Sequence, residues 1–168
     1  MRRTSWLAVT LLCFFAARAR AQEGTSVTAG AALPIGALAN QVGTGLLLTL
    51  RNEGPLPWWQ LDYRVDIGFE HFPGANGGGA LEYSSFAFNA VGWPSRRLYD
   101  FAGVGLYNNR STRATSSFGR LGSLLGAQAG VGLVFETRYL PFIELGMSNM
   151  FAAGTNAPWF AVSGGVHF

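Results

Sequence analysis

Between Trp59 and Glu70 the chain alternates without a break. Trp59, Leu61, Tyr63, Val65, Ile67 and Phe69 fall on one phase, and Gln60, Asp62, Arg64, Asp66, Gly68 and Glu70 on the other. Successive side chains of a strand point to opposite faces, so this stretch builds one apolar and one polar face, whereas helical spacing would mix the two sets. The run is also long for a strand, whose usual length is about 5–6 residues. A strand of about eleven residues rising roughly 3.3 Å each and tilted by about 40° climbs roughly 27 Å, close to the apolar band of an outer-membrane barrel. A long strand of a soluble sandwich or a lipocalin-like barrel alternates in the same way. The rest of the chain has to separate the two environments.

The N-terminal residues have the pattern of an export signal. Arg2 and Arg3 precede an apolar run from Trp6 to Ala17, too short to span a bilayer as a helix, and Ala19-Arg20-Ala21 is a small-x-small cleavage site. The expected cut follows Ala21, leaving residues 22–168 as one domain. Arg18 and Arg20 lie unusually close to that site. Cys13 sits inside the apolar run, after Leu11-Leu12, and so does not make a lipoprotein signal. The full chain carries 12 basic and 9 acidic residues. Losing Arg2, Arg3, Arg18 and Arg20 leaves eight arginines against nine acids, a net charge of −1. The basic pI is therefore no argument for nucleic acid. The one cysteine leaves with the signal, which removes disulfides and thiolate metal sites from consideration.

After the signal no apolar stretch is long enough for a transmembrane helix. Yet 49% of the residues are hydrophobic and only 12% charged, about half the charge of an ordinary soluble domain. A barrel whose outer face meets lipid has this balance. Eight strands are predicted, near 26–35, 44–51, 59–70, 82–91, 98–107, 121–135, 140–150 and 159–168. The second puts Leu46, Leu48 and Leu50 outward and Gly45, Thr49 and Arg51 inward, with Leu47 breaking the polar phase; Asn52-Glu53-Gly54-Pro55 reads as the turn after it. In the sixth, Glu136 continues the inward phase of Gly126, Gln128, Gly130 and Gly132. In the fifth the facing is ambiguous, because Asp100 shares a phase with Leu98, Ala102, Val104 and Leu106. Connections after odd strands read as longer loops, among them 73–79, 108–120 and 152–157, and those after even strands as tighter turns. That is the outer-membrane arrangement, with both termini on the periplasmic side.

The chain ends in Phe168, preceded on the same phase by Val166, Gly164, Val162 and Phe160. This resembles the closing strand of bacterial outer-membrane barrels, and the resemblance implies that Phe160, Val162, Val166 and Phe168 form the assembly signal read by the barrel-insertion machinery. With Leu33-Pro34-Ile35-Gly36, Gly103-Val104-Gly105-Leu106-Tyr107, Gly130-Val131-Gly132-Leu133 and Phe142-Ile143-Glu144 in that order, the whole mature chain resembles the small OmpA/OmpX-like barrel family. The resemblance implies an all-β, eight-stranded antiparallel up-and-down transmembrane barrel in the outer membrane of a Gram-negative-type bacterium, monomeric, surrounded by membrane lipid and lipopolysaccharide. No peptidoglycan-binding segment follows the last strand, so anchoring to the cell wall is not expected. Trp58, Trp59, Trp93, Tyr99 and Tyr139 gather near the turn side and suit an interfacial aromatic girdle.

In such a barrel Asp62, Arg64, Asp66, Glu70, Gln128 and Glu144 face the lumen. A barrel of eight strands is filled by side chains, and buried charges have to be paired. Arg64 lies between Asp62 and Asp66 on one face, and its planar fork can engage two acceptors. It is expected to bridge a strand-three aspartate and a carboxylate across the lumen, foremost Glu144. The main reading of this set is a plug that fixes the barrel; a proton or ion path is the alternative. Outside, Arg110, Arg113 and Arg120 in the longest loop are candidates for anion contacts such as lipopolysaccharide phosphates.

Catalysis finds little support. Small barrels include lipid A acyltransferases and deacylases, and Met147-Ser148-Asn149 is faintly similar to the deacylases' His-x-Ser-Asn stretch. Gly146 stands where that family has its histidine, which leaves Ser148 without a base. His71 near Ser84 or Ser85 is a second, weaker pairing. Two separated histidines and no mature cysteine make no metal site, and Gly77-Gly78-Gly79 lacks the lysine and helix of a phosphate loop. No catalytic residue, cofactor or metal is therefore assigned. A structural or surface-interaction role is expected; a lipid A-modifying enzyme or a narrow pore is the alternative.

Overall fold

The computed structural model describes residues 24–56, 61–77, 79–110, 123–137, 139–152 and 155–168. The expected signal segment 1–21, Trp58, Trp59, Arg113 and Arg120 lie outside the described residues. Eight strands, β1 (Thr25–Pro34), β2 (Gly45–Pro55), β3 (Asp62–Phe72), β4 (Leu81–Gly92), β5 (Leu98–Asn109), β6 (Ser123–Val134), β7 (Pro141–Ala152) and β8 (Thr155–His167), follow one another around a closed barrel. Each pairs antiparallel with its sequence neighbours, and β1 closes on β8 from Ser26 opposite His167 to Pro34 opposite Trp159. Beyond the last pair, the Phe168 amide donates to the Thr25 carbonyl at 3.0 Å. Closure leaves no sheet edge, the one way a β-structure satisfies its backbone in lipid. Among the described residues no helix is long and apolar enough to cross a membrane.

Alternation decides which face each residue takes. Leu46, Leu48, Ile67, Phe86, Val104, Leu125, Leu145 and Phe160 stand outside, each about half or more exposed. The facing of the fifth strand is settled. Leu98, Asp100, Ala102, Val104 and Leu106 point outward, while Tyr99, Phe101 and Tyr107 point into the barrel and are buried. Two phases that both contain apolar residues cannot be ranked by hydrophobicity; what separates them is that the large rings fit only where β6 offers glycine.

Three sequence expectations shift at strand ends. Residues 52–55 are not a turn but the end of β2, with Asn52, Glu53, Gly54 and Pro55 opposite Val65, Arg64, Tyr63 and Asp62. Of the long alternating run, Asp62 onward forms β3 with Leu61 before it, and Trp59 and Gln60 lie outside the described residues. Glu53 opposite Arg64 is a favourable cross-strand pair, and Pro55, which has no N–H to donate, sits at the strand's last position. The expected loop 152–157 shrinks to a hairpin in which Ala152 and Thr155 are opposed. Glu136 does not face the lumen. It lies past the end of β6 and pairs with Arg97 of the β4–β5 turn at 3.1 Å, and that guanidinium holds its carboxyl below the usual carboxylate range.

The two ends of the barrel differ. At the end bearing the connections after odd strands, residues 35–44 fold back over the mouth. Leu38, in a single 3-10 turn (Leu38–Asn40), and Val42 are completely or almost completely buried among Phe72, Leu81, Tyr83, Tyr107, Leu124, Met150 and Trp159. Rings meet edge to face there, Phe72 with Trp159 at 5.8 Å and Tyr107 with Trp159 at 5.6 Å. The strap is tied to the β3–β4 loop by Gly43 N–H to Pro73 O at 2.8 Å and Ala75 N–H to Gln41 O at 3.0 Å. At the other end, Val91, Tyr99, Phe101, Val134 and Phe142 form a second, smaller apolar cluster.

Candidate functional site

Between the two apolar layers lies a band of charge. Arg51 from β2, Arg64 and Asp66 from β3, and Glu144 from β7 are each at most 6% exposed. The pleat brings them together. Arg51 is directly opposite Asp66 in the β2–β3 register, Arg64 and Asp66 are two apart on one face, and Glu144 reaches across from the far wall. The Arg51 guanidinium grips Glu144 with both Nη atoms at 2.8 Å and turns its Nε to Asp66 Oδ1 at 3.0 Å. Arg64 donates from Nη1 to Glu144 Oε1 at 2.9 Å and from Nε to Asp66 Oδ2 at 3.1 Å. Both cations thus touch both anions, and the quartet is neutral.

Further groups complete its coordination. Tyr99 Oη donates to Glu144 Oε1 at 2.7 Å, and Asn89 Nδ2 and Gln128 Nε2 donate to Asp66 Oδ2 at 3.1 and 3.2 Å. Gln128 also donates to Asn89 Oδ1 at 2.8 Å. The Arg64 guanidinium lies 3.7 Å from the centre of the Phe101 ring and that of Arg51 5.3 Å from Phe142, stacking that suits a weakly hydrated planar cation. Charges removed from water are stable only when their remaining donors and acceptors are met, and here, with Ser163 Oγ donating to Glu144 Oε2 at 3.4 Å, they are met from seven strands. The interior space beside the quartet is about 60 Å³, room for a few waters.

Each predicted lumen residue can now be placed. Arg64, Asp66, Gln128 and Glu144 join one network, and Arg64 bridges Asp66 and Glu144. Asp62 lies on the same phase but at the rim, where its Oδ2 accepts from Trp93 Nε1 at 2.8 Å. Glu70 is buried toward the strap, with Ser85 Oγ donating to it at 2.7 Å. The reading of the sequence omitted Arg51, Asn89 and Tyr99 from the network. Arg51 was legible as the inward charge of the second strand, and an imbalance of acids around Arg64 called for it. Tyr99 was assigned to an aromatic girdle, and the structure corrects this: it is 2% exposed, because its hydroxyl finds a carboxylate inside the barrel.

The candidate catalytic groups lie on different faces and strands, except that Ser84, opposite Phe69, shares the outward face with His71, opposite Glu82. Ser148 stands opposite Gln128 and Trp159, and Asn149 opposite Ala127 and Pro158. His71 points outward at the strap end and meets Glu82 Oε1 at 3.1 Å, while the hydroxyl of Ser85 is engaged by Glu70 inside. Arg110 is exposed just beyond β5. Among the described residues no group of three His, Cys, Asp or Glu side chains has the arrangement of a metal site.

No family model and no curated protein matches this sequence. Its structure, however, superposes on that of the Yersinia pestis outer membrane protein Ail, determined in a phospholipid bilayer nanodisc. The likeness covers 88% of this chain and all of the other, with a TM-score of 0.56 and 14% sequence identity. This chain has the fold of a small outer-membrane barrel. At that identity the likeness concerns the backbone path, and the charged core described above is a statement about this sequence alone.

Proposed function

We propose that the protein is an outer-membrane barrel with a structural or surface-interaction role, without catalysis of its own. The observation that carries this reading is the pairing of an outward apolar belt with an interior packed by side chains at the strap end and through the middle. Leucines and phenylalanines that are half exposed around a whole barrel would drive aggregation in water but are solvated by acyl chains. Inside, the strap cluster closes one mouth and the neutral quartet occupies the middle, so the geometry favours a plug over an ion path. Arg110 gives the strap end a basic group suited to lipopolysaccharide phosphates, and Arg113 and Arg120 follow it in the sequence.

The orientation follows from placing the termini and the even-to-odd turns in the periplasm. Cysteine at Asn76, in the β3–β4 loop, is expected to react with an impermeant maleimide on intact cells, and cysteine at Ser95, in the β4–β5 turn, only after the membrane is breached. The reverse pattern would invert the assignment, and equal labelling would argue against a membrane barrel. Mass spectrometry of lipid A with and without the protein tests the alternative of a lipid A-modifying enzyme, for which an added or lost acyl chain would be decisive. Stable unit conductance in planar bilayers would instead support a narrow pore.

The closing strand provides a second test. Phe168 is 40% exposed, and its amide extends the β1–β8 seam. Deleting it is expected to leave the protein in the periplasm or degraded, measured as the fraction recovered with outer membranes. Undiminished membrane yield would remove Phe160, Val162, Val166 and Phe168 as an assembly signal.

A further inference from the structure

Among the described residues, the mouth opposite the strap keeps open space. A vestibule of about 380 Å³ opens there, bordered among others by Glu53, Asp62, Trp93, Leu140, His167 and Phe168. Its size falls within the range of small-molecule sites, roughly 300–1,000 Å³. Its chemistry is two-sided. Trp93, Leu140 and Phe168 supply apolar wall, and both carboxylates belong to the inward face, since Glu53 and Asp62 stand opposite Arg64 and Pro55 in the β2–β3 register.

Glu53 is, with Glu70 at the strap end, one of two largely buried acids outside the charged quartet. Arg51 and Arg64 are matched by Asp66 and Glu144, and Arg51 turns its Nε to Asp66 at 3.0 Å while remaining 3.9 Å from Glu53 Oε1. Among the described residues that oxygen accepts no hydrogen bond; it is itself closed off from solvent on the side of Arg51, while the Glu53 side chain borders the vestibule. One row nearer the mouth, Asp62 is held in place by the Trp93 indole. Trp93 in turn lies against Tyr99, with ring centres 5.0 Å apart, so its indole is braced from behind. His167 lies against Phe142, with ring centres 4.6 Å apart and the rings tilted by 43°. Two acids at one mouth, one largely buried and the other held by the indole, together with apolar side chains favour a cation carrying a short apolar chain.

We propose that this vestibule binds small primary alkylammonium ions, with the ammonium at Glu53 and Asp62 and the alkyl chain along Trp93, Leu140 and Phe168. The site is separate from the surface role proposed above and does not depend on it. The test uses the folded protein in phosphatidylcholine nanodiscs at pH 8, where an unperturbed imidazole is neutral. Nitrogen-15 tryptophan labelling reports the Trp93 indole N–H, assigned by loss of its signal in Trp93→Phe. Titration with n-butylammonium is expected to shift that resonance saturably, and titration with n-butanol or butyrate is not. Glu53→Gln is expected to weaken the apparent affinity roughly tenfold, the size of one charge-assisted hydrogen bond. Equal saturable shifts with butanol or butyrate, or undiminished affinity in Glu53→Gln, would overturn the proposal. Should Glu53→Gln fail to fold, Asp62→Asn at the rim keeps the acceptor for the indole and removes only the charge. It is expected to weaken binding about threefold by the same arithmetic, and an unchanged affinity there would be equally fatal.

Discussion

Arg64→Ala is expected to cost about 3–5 kcal/mol of barrel stability, the usual penalty for removing one partner of a buried ion pair. The measurement is the urea midpoint of the protein in detergent micelles. The reason is what remains. Asp66 and Glu144 would keep Arg51 but lose the second cation, and the Phe101 ring would lose the guanidinium that covers it at 3.7 Å. The size of the loss distinguishes a structural plug from a decorative pair, since exposed ion pairs contribute about 0–1 kcal/mol. The compensating variant is also determined by the geometry. Removing Arg64, Asp66 and Glu144 together would strand Arg51, which touches both acids. Only the fourfold change Arg51→Met, Arg64→Met, Asp66→Leu and Glu144→Leu removes a neutral set, and it is expected to recover most of the lost stability. An unchanged midpoint in Arg64→Ala, or a fourfold variant weaker than the single one, would show that the quartet does not hold the barrel in this way.

Gly132→Ala is expected to be as damaging, at about 3–5 kcal/mol from overpacking and a lost charge-assisted hydrogen bond combined. Tyr99, Gly132 and Glu144 occupy one row across β5, β6 and β7. The Tyr99 ring crosses over the glycine to place its hydroxyl 2.7 Å from Glu144. A methyl group at residue 132 would overlap that ring, which is buried and cannot swing away. Gly164→Ala is the control. Its side chain would point outward and meet nothing closer than 3.5 Å, so stability should stay within about 0.5 kcal/mol. If both substitutions shift the midpoint equally, the effect comes from strand propensity and not from the ring.

The same arrangement explains why the motifs rich in glycine are legible in the sequence while their purpose is not. Gly126, Gly130 and Gly132 alternate along β6 and mark its inward phase. An added Cβ would lie 2.6 Å from the Tyr107 ring at Gly126 and 2.6 Å from the Phe101 ring at Gly130. The rings come from β5, the one strand whose facing the sequence left open. Its two phases differ in shape more than in polarity, and shape is read only by the neighbouring strand. Arg51 shows the complementary case. Its phase was clear, but Glu144 lies 93 residues away and the bidentate grip between them exists only once the barrel is closed.

By itself the sequence determined the barrel. Period-two alternation assigns most residues outside the fifth strand to a face, because it is a local property of neighbouring residues, and the resemblance carried by the closing strand and the ordered motifs implies closure in lipid. It also determined that charge would be buried near the middle of the third strand and would have to be paired. The tertiary structure decided the partners, the placement of Tyr99 inside, the sealing of one mouth by Leu38 and Val42, and the largely buried acid at the other. Each of these depends on which side chains the curvature of the sheet brings across a lumen only wide enough for side chains, a distance that no pattern along one strand contains.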